Sequence, residues 1–554
     1  MTKNTSHHHP LKIKINQRLS GLLAIVGVGL VLTIFSIFYW QKITAGEKLA
    51  KLLPADRTLA FLEFNLDPSR TETVELQKLL AQNPLVQGQF NYLMSLAPHG
   101  DLFWQWFSGR GGVAILSNAQ GQALENVLFL QKTNQEKTLN WINELVLDPK
   151  NDVVLDEDYY GQKLLSFRSG QTYNLMLTSD YLVLAENRDN LKLIAETIAG
   201  KHSRLRELPA YNQLISALPD QNVFFLYLNR DKILSVLGRD SQFLAGRLAQ
   251  FKLYFPFLQL FSTEAIAVKL ERNDQNQPIL AAKHLSLFNQ SKFPSPNLFA
   301  TDYSYQGNLE YLLPEGAFFQ AGGVNLLDQK NKLQAYFKNN STVYDLLFSG
   351  VISSLRDTLQ SPGKKLDLDQ NFFPLFPQEY LLFAQMGEAK PELGLIFQSE
   401  NPSNDLLKLK PLLEAFGPKL AAVFDSQVSP LTLPDGTTGS ELKPELVAPS
   451  TSSITVKGKS VEKMSISSGY NLYIFADQQA KVILVTDTLS ILENVLGQTK
   501  TIPKSSYALD KPTEVYQLNL TLSPYAAFLK PLTSIDIARK FTEIGLLSVY
   551  QLGF

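Results

Sequence analysis

The sequence predicts an α+β fold: one N-terminal transmembrane helix, then two tandem, related α+β modules with mainly antiparallel sheets. Three observations predict it. A single long apolar run follows a basic leader. An ordered set of similar segments occurs twice in the rest of the chain. Within each set, short strands rich in Val, Leu, Phe and Tyr alternate with helical segments.

The leader, residues 1–18, carries Lys3, Lys12, Lys14 and Arg18 and no acid. The run from Leu19 to Trp40 contains no Asp, Glu, Lys, Arg or His. As a helix it is roughly 33 Å long at about 1.5 Å per residue, enough to cross a bilayer core. Positive residues stay on the cytoplasmic side, which puts the amino terminus inside and the body outside. Tyr39 and Trp40 close the run with rings suited to a membrane interface. The run is longer than a signal-peptide core, and Thr44-Ala45-Gly46 is a poor cleavage match. The expectation is an uncleaved, single-pass signal anchor over residues 19–40, with the lipid bilayer as its partner.

There are no cysteines among the 554 residues. That excludes thiolate catalysis and cysteine-ligated zinc or iron–sulfur centres. Lys+Arg total 51 and Asp+Glu total 52. Without the basic leader the body is mildly acidic, which is no footprint for nucleic acid. A body this long exceeds one ordinary core and splits into domains.

The split follows the repeat. The first copy opens with Leu53-Pro54-Ala55-Asp56 and a strand at Leu59–Leu66; the second opens with Leu313-Pro314-Glu315-Gly316 and Ala317–Leu326. Aromatic segments come next, Phe103–Phe107 and Phe372–Phe376, each leading into an apolar strand. Glu125–Gln131 then matches Glu392–Gln398, and each precedes a helical pattern, Glu136–Leu147 and Asn404–Phe416. Tyr173-Asn174-Leu175 matches Tyr470-Asn471-Leu472, and Leu182–Asn187 matches Val482–Asp487. Phe225–Asn229 and Val515–Asn519 complete the series. The unbroken order points to duplication, with modules at residues 50–290 and 306–554. Glu264–Leu270 and Ile279–Phe288 flank a polar turn and read as a hairpin. Asn289–Tyr305 reads as the linker, and Thr437–Ser453 as an exposed excursion.

The chain resembles a bacterial family of membrane-anchored extracytoplasmic proteins of unknown function, well represented in cyanobacteria. The resemblance rests on the apolar run, the Leu53-Pro54-Ala55-Asp56 opening and the aromatic segment Asp101–Gly109. The family carries a Trp-Leu-Gly-like element there; this chain has Trp106-Phe107-Ser108-Gly109, and the Gly-less Leu375-Phe376-Pro377-Gln378 in the second copy. Tyr159-Tyr160-Gly161 and Leu433–Thr437 are also similar. The resemblance implies a plasma-membrane protein with an extracytoplasmic body, or a thylakoid one in a photosynthetic source. It supplies no catalytic residues.

Candidate chemical sites are few. His7, His8 and His9 form a run in the leader, and His99, His202 and His284 share no metal-ligand spacing. Asp367-Leu368-Asp369-Gln370-Asn371 begins like a calcium loop but has Phe372 and Gln378 where Gly and Glu are required. Ser361–Lys364 and Ser460–Lys463 match Ser-x-x-Lys without its helical setting or partner motifs. Asp156-Glu157-Asp158 is an acid cluster in a polar segment. No metal and no cofactor is expected. The aromatic stretch Leu253–Phe261 offers a candidate apolar binding surface of Tyr254, Phe255, Phe257 and Phe261. The functional expectation is a non-catalytic binding or scaffolding protein of the bacterial envelope, taking another envelope protein or an apolar ligand. The alternative is an envelope hydrolase with a site assembled from distant residues.

Overall fold

The computed structural model describes residues 43–65, 100–239, 261–289, 303–337, 366–497, 509–519 and 534–553, apart from short stretches inside those ranges. Among the described residues, twenty strands form one sheet, and every pairing in it is antiparallel. The first ten are β1 Thr58–Asn65, β2 Phe107–Ser117, β3 Leu124–Lys132, β4 Asp152–Tyr159, β5 Gln162–Ser169, β6 Gln171–Leu177, β7 Tyr181–Ala185, β8 Phe224–Asn229, β9 Phe261–Arg272 and β10 Pro278–Phe288. The second ten are β11 Ala317–Val324, β12 Glu379–Met386, β13 Pro391–Gln398, β14 Leu446–Val456, β15 Lys459–Ser467, β16 Asn471–Asp477, β17 Val482–Thr486, β18 Glu514–Asn519, β19 Ser534–Phe541 and β20 Gly545–Gly553. Helices are fewer: α1 Gln135–Leu147, α2 Arg188–Ile198, α3 Pro209–Ala217, α4 Arg230–Arg239, α5 Leu326–Phe337, α6 Pro402–Phe424 and α7 Leu489–Gly497, beside shorter turns.

Across the sheet the first series runs β4-β5-β6-β7-β3-β2-β1-β8-β9-β10. The second runs β14-β15-β16-β17-β13-β12-β11-β18-β19-β20, the same order shifted by ten. The two series meet where β10 pairs β20, from Ile279↔Gly553 to Leu287↔Gly545. This pairing replaces the expected pair of tandem α+β modules. The protein is mostly antiparallel sheet, and that sheet crosses from one half into the other. The local patterns marked strands and helices, but an edge-to-edge join between distant strands leaves no mark in local periodicity.

The single-pass helix is likewise corrected: no transmembrane helix is seen. Residues 19–40 lie outside the described residues, and among those described no helix is long and apolar enough to cross a membrane. An apolar run specifies avoidance of water, not a helix, so the transmembrane and signal-anchor reading had composition alone behind it. The expected linker lies largely outside the described residues, and the second half of the expected polar excursion, from Leu446, forms β14.

Both faces of the sheet are apolar, so the strands read as near-continuous hydrophobic segments; β1 is buried along its whole length. In the first series one face packs Phe61, Leu116, Phe129 and Val183 against Leu191, Ile194 and Leu214 of α2 and α3. The other packs Phe64, Leu130 and Leu182 against Trp106, Trp141 and Ile142. The second series repeats this with Ile396, Leu484 and Ile491 on one face and Phe397, Ile474, Leu409 and Leu412 on the other. Thus the aromatic segment around Trp106 is core: Trp106 is fully buried and its ring lies 5.2 Å from Trp141. Leu547 and Leu552 of β20 pack against the two first-series clusters, so the cores also meet across the join.

Local chemistry sets the ends of these elements. Asn187 caps α2, its side chain accepting from Asp189 N at 2.9 Å. Glu125 of β3 receives the side-chain amides of Asn187 (3.1 Å) and Asn190 (2.7 Å), tying strand to helix. In the second series Glu392 of β13 accepts from Ser490 of α7 at 3.0 Å. The hairpins β4–β5 and β14–β15 both turn through two residues of positive φ, Tyr160-Gly161 (49°, 74°) and Lys457-Gly458 (48°, 76°). That is the two-residue turn whose twist matches the strands.

Gly394 of β13 lies directly opposite Phe383 of β12, whose buried ring covers it. A side chain at Gly394 would overlap that ring. Gly394→Ala is expected to lower the unfolding free energy by about 1–3 kcal/mol in urea titration, as overpacking does. Adding Phe383→Leu should recover part of the loss. Additive losses in the double variant would show that the two positions do not touch.

Candidate functional site

Among the described residues, Arg230, Glu264, His284 and Ser286 converge on one buried carboxylate. Glu264 sits on β9 and Ser286 opposite it on β10, with His284 two residues earlier on the same face. Arg230 opens α4 directly after β8. Its Nε and Nη2 donate to Glu264 Oε1 and Oε2 at 2.7 and 2.8 Å, a bidentate pair. His284 Nε2 lies 3.1 Å from Glu264 Oε2, and Ser286 Oγ donates to the same oxygen at 3.1 Å. Ser286 Oγ is also 3.0 Å from His284 Nε2. Beyond the set, the Arg230 guanidinium lies 5.6 Å from the centre of the Phe261 ring, which stacks on Phe288. The His284 ring faces Tyr550 of β20 at 6.3 Å.

Serine, histidine and glutamate invite comparison with a nucleophile, base and orienter. A working triad uses the two imidazole nitrogens separately, one toward the hydroxyl and one toward the carboxylate. Here Nε2 alone approaches both groups. The carboxylate is already engaged by Arg230, and Ser286 is 2 % exposed, so the hydroxyl has no approach for a substrate. The arrangement is a closed charge cluster that stitches α4, β9 and β10 together near the join with β20. It is not repeated: Ile535, Tyr550 and Leu552 hold the corresponding places in β19 and β20.

Burial pushes the Glu264 carboxyl upward, but hydrogen bonds from His284 and Arg230 outweigh it and hold the group down at about 2. Asp536 of β19 shows the opposite balance. Burial dominates there, against weaker help from Ser534 and Gln517, and raises its carboxyl to about 6.

The other sequence candidates fall elsewhere. Tyr254, Phe255 and Phe257 lie outside the described residues. Phe261 begins β9 and is 5 % exposed, buried between Phe288 and Arg230. The His7–His9 run, His99 and Ser361–Lys364 also lie outside the described residues. His202 Nε2 meets Glu196 Oε2 at 3.0 Å. Asp367 caps a short helical turn, accepting from Asp369 N and Gln370 N at 2.7 and 3.0 Å. Asp156 pairs with Lys163 at 3.2 Å, and Glu157 with Arg188 and Lys192. Ser460 and Lys463 lie on β15, an extended strand. Among the described residues no group of three or more His, Asp or Glu is placed to hold a metal.

Sequence reasoning missed the Arg230–Glu264–His284–Ser286 cluster. The signal was present in part: a hairpin turning near residue 275 sets Glu264 opposite Ser286, and alternation puts His284 on that face. Arg230 has no such marker.

No protein-family description matches the chain, and no curated protein matches it. One solved structure, titled "Structure of crystal form IV of TP0453", is similar at 11% identity over 41% of this chain and 76% of that one. The TM-score is 0.23.

Two outcomes follow from the charges. A carboxyl held low in the fold stabilises it above the unfolded value near 4.5 and loses that contribution as pH falls toward about 2. Glu264→Gln should therefore flatten acid unfolding between those values, and Arg230→Met should cost about 3 kcal/mol at pH 7 by leaving a buried charge unpaired. Unchanged acid midpoints in Glu264→Gln would contradict this. For Asp536 the sign reverses: the folded protein binds the proton more tightly, so stability falls as pH rises from about 4 to about 6. Asp536→Asn should lose that slope and be the more stable protein at pH 7 in thermal melts.

Proposed function

We propose that the chain is a non-catalytic binding or scaffolding protein of the bacterial cell envelope, its body on the extracytoplasmic side. The observation that carries this reading is the closed state of the polar cluster on β9 and β10. Its carboxylate is held by an arginine, and its serine is buried within β10. Among the described residues, the body presents two unequal sheet edges. Such an edge recognises a partner through backbone hydrogen bonds, and apolar positions on its faces add selectivity. The resemblance of the Leu53-Pro54-Ala55-Asp56 opening and the Asp101–Gly109 segment to extracytoplasmic proteins supports that location. The partner class is another envelope protein or an apolar ligand. The hydrolase alternative draws on the same cluster and has the weaker support, since its geometry gives no nucleophile.

Crosslinking in intact cells, followed by identification of co-purified envelope proteins, tests the reading. A specific neighbour should be recovered equally with the natural chain and with Ser286→Ala. Recovery of no specific neighbour, or hydrolytic turnover abolished by Ser286→Ala, would overturn it.

A further inference from the structure

Among the described residues the sheet has two outer strands, β4 and β14, and they hold the same place in their series. Outer strands are a hazard because they offer unpaired N–H and C=O groups, and charged side chains usually protect them. β4 is protected in this way: Asp156, Glu157 and Asp158 stand in succession along it. β14 is not. Its sequence LVAPSTSSITV carries no charge over 11 residues. Val447 to Ser453 are all exposed, and Val447 is 40% exposed. Among the described residues β14 pairs with β15 alone. The seven residues Ser450–Val456 contain no proline and favour extended backbone.

The pairing of β14 with β15 fixes which groups are open. Their hairpin turns through two residues, so Val456 and Lys459 flank the turn as a hydrogen-bonded pair. Counting back by alternation, Ile454 and Ser452 also bond inward. Thr451, Ser453 and Thr455 turn their N–H and C=O groups outward. These three positions are self-complementary. With a two-fold axis at Ser453, antiparallel pairing of two copies sets Ser453 against Ser453, and Thr451 against Thr455. Roughly six backbone hydrogen bonds result. The cross-strand partners are Thr–Thr and Ser–Ser, a favourable class, with no like charges opposed. Pro449 falls outside the paired segment. The molecule already joins equivalent strands in this manner, since β10 and β20 pair about the Lys283↔Val549 position.

We propose that β14 is a self-association edge: two copies of the chain pair antiparallel through Thr451–Thr455 and continue the sheet from one copy into the other. The proposal is independent of the partner suggested above. A β4–β4 join sets like acids against each other. A β14–β4 join is head-to-tail and gives rings or open chains, not a two-fold pair.

Sedimentation velocity on the full chain in mild detergent tests it, with three proteins compared. The natural chain should be a dimer that does not grow further with concentration. Ser453→Lys places two cations across the axis and should be monomeric, with unchanged circular dichroism and melting. Ser453→Cys, in a chain that otherwise has no cysteine, should form a covalent dimer on mild oxidation. Opposed residues of such a pair lie about 5.5 Å apart at Cα, within disulfide reach. A monomeric natural chain, open-ended oligomers, or a Ser453→Lys protein that stays dimeric would each overturn the proposal.

Discussion

The antiparallel pairing of β10 with β20 is the constraint on which the rest of the structure depends. Nine consecutive positions, Ile279 to Leu287, are matched to Gly553 back to Gly545. Without that ladder each series would end in a long apolar strand with one edge open. With it, Leu285 is buried, and Leu547 and Leu552 of β20 complete clusters that belong to the first series. Tyr305, Val515, Ala538 and Val549 form a further small cluster beside the join. Pairing about equivalent positions gives the molecule an internal approximate two-fold, in which each half supplies the strand that closes the other's edge.

The polar cluster of Arg230, Glu264, His284 and Ser286 follows from that arrangement. It lies on β9 and β10, close to the join, and only one half carries it. A buried carboxylate is tolerated there because a bidentate guanidinium and two further donors satisfy it. Buried ion pairs of this kind contribute little net stability, but removing one partner is costly because it leaves a buried charge unpaired. The two outer strands also differ: β4 carries Asp156, Glu157 and Asp158, and β14 carries no charge.

Much of the local structure was legible in the sequence. The hairpin of β9 and β10 showed as two alternating segments around a polar turn, and the recurrence of Glu125–Gln131 as Glu392–Gln398 marked strands that hold the same position in the two series. The aromatic content of Phe103–Phe107 marked core. The overall architecture was not legible, because pairing between β10 and β20 joins residues more than 250 positions apart and satisfies backbone groups that every edge strand has alike. Glu264 and Ser286 were within reach of hairpin register, whereas Arg230 is brought to them only by the path of the chain after β8. Apolar content over Leu19–Trp40 was a statement about solvent preference that could not by itself specify a helix.

Native-state hydrogen exchange on the intact protein bears most directly on the claim that one sheet spans both halves. Backbone amides of Ile279–Leu287 and Gly545–Gly553 should be among the slowest, exchanging through a single opening whose free energy equals that of global unfolding. Exchange of the two strands through separate, lower-energy openings would mean that the halves fold as independent units, and the account built on their join would fail.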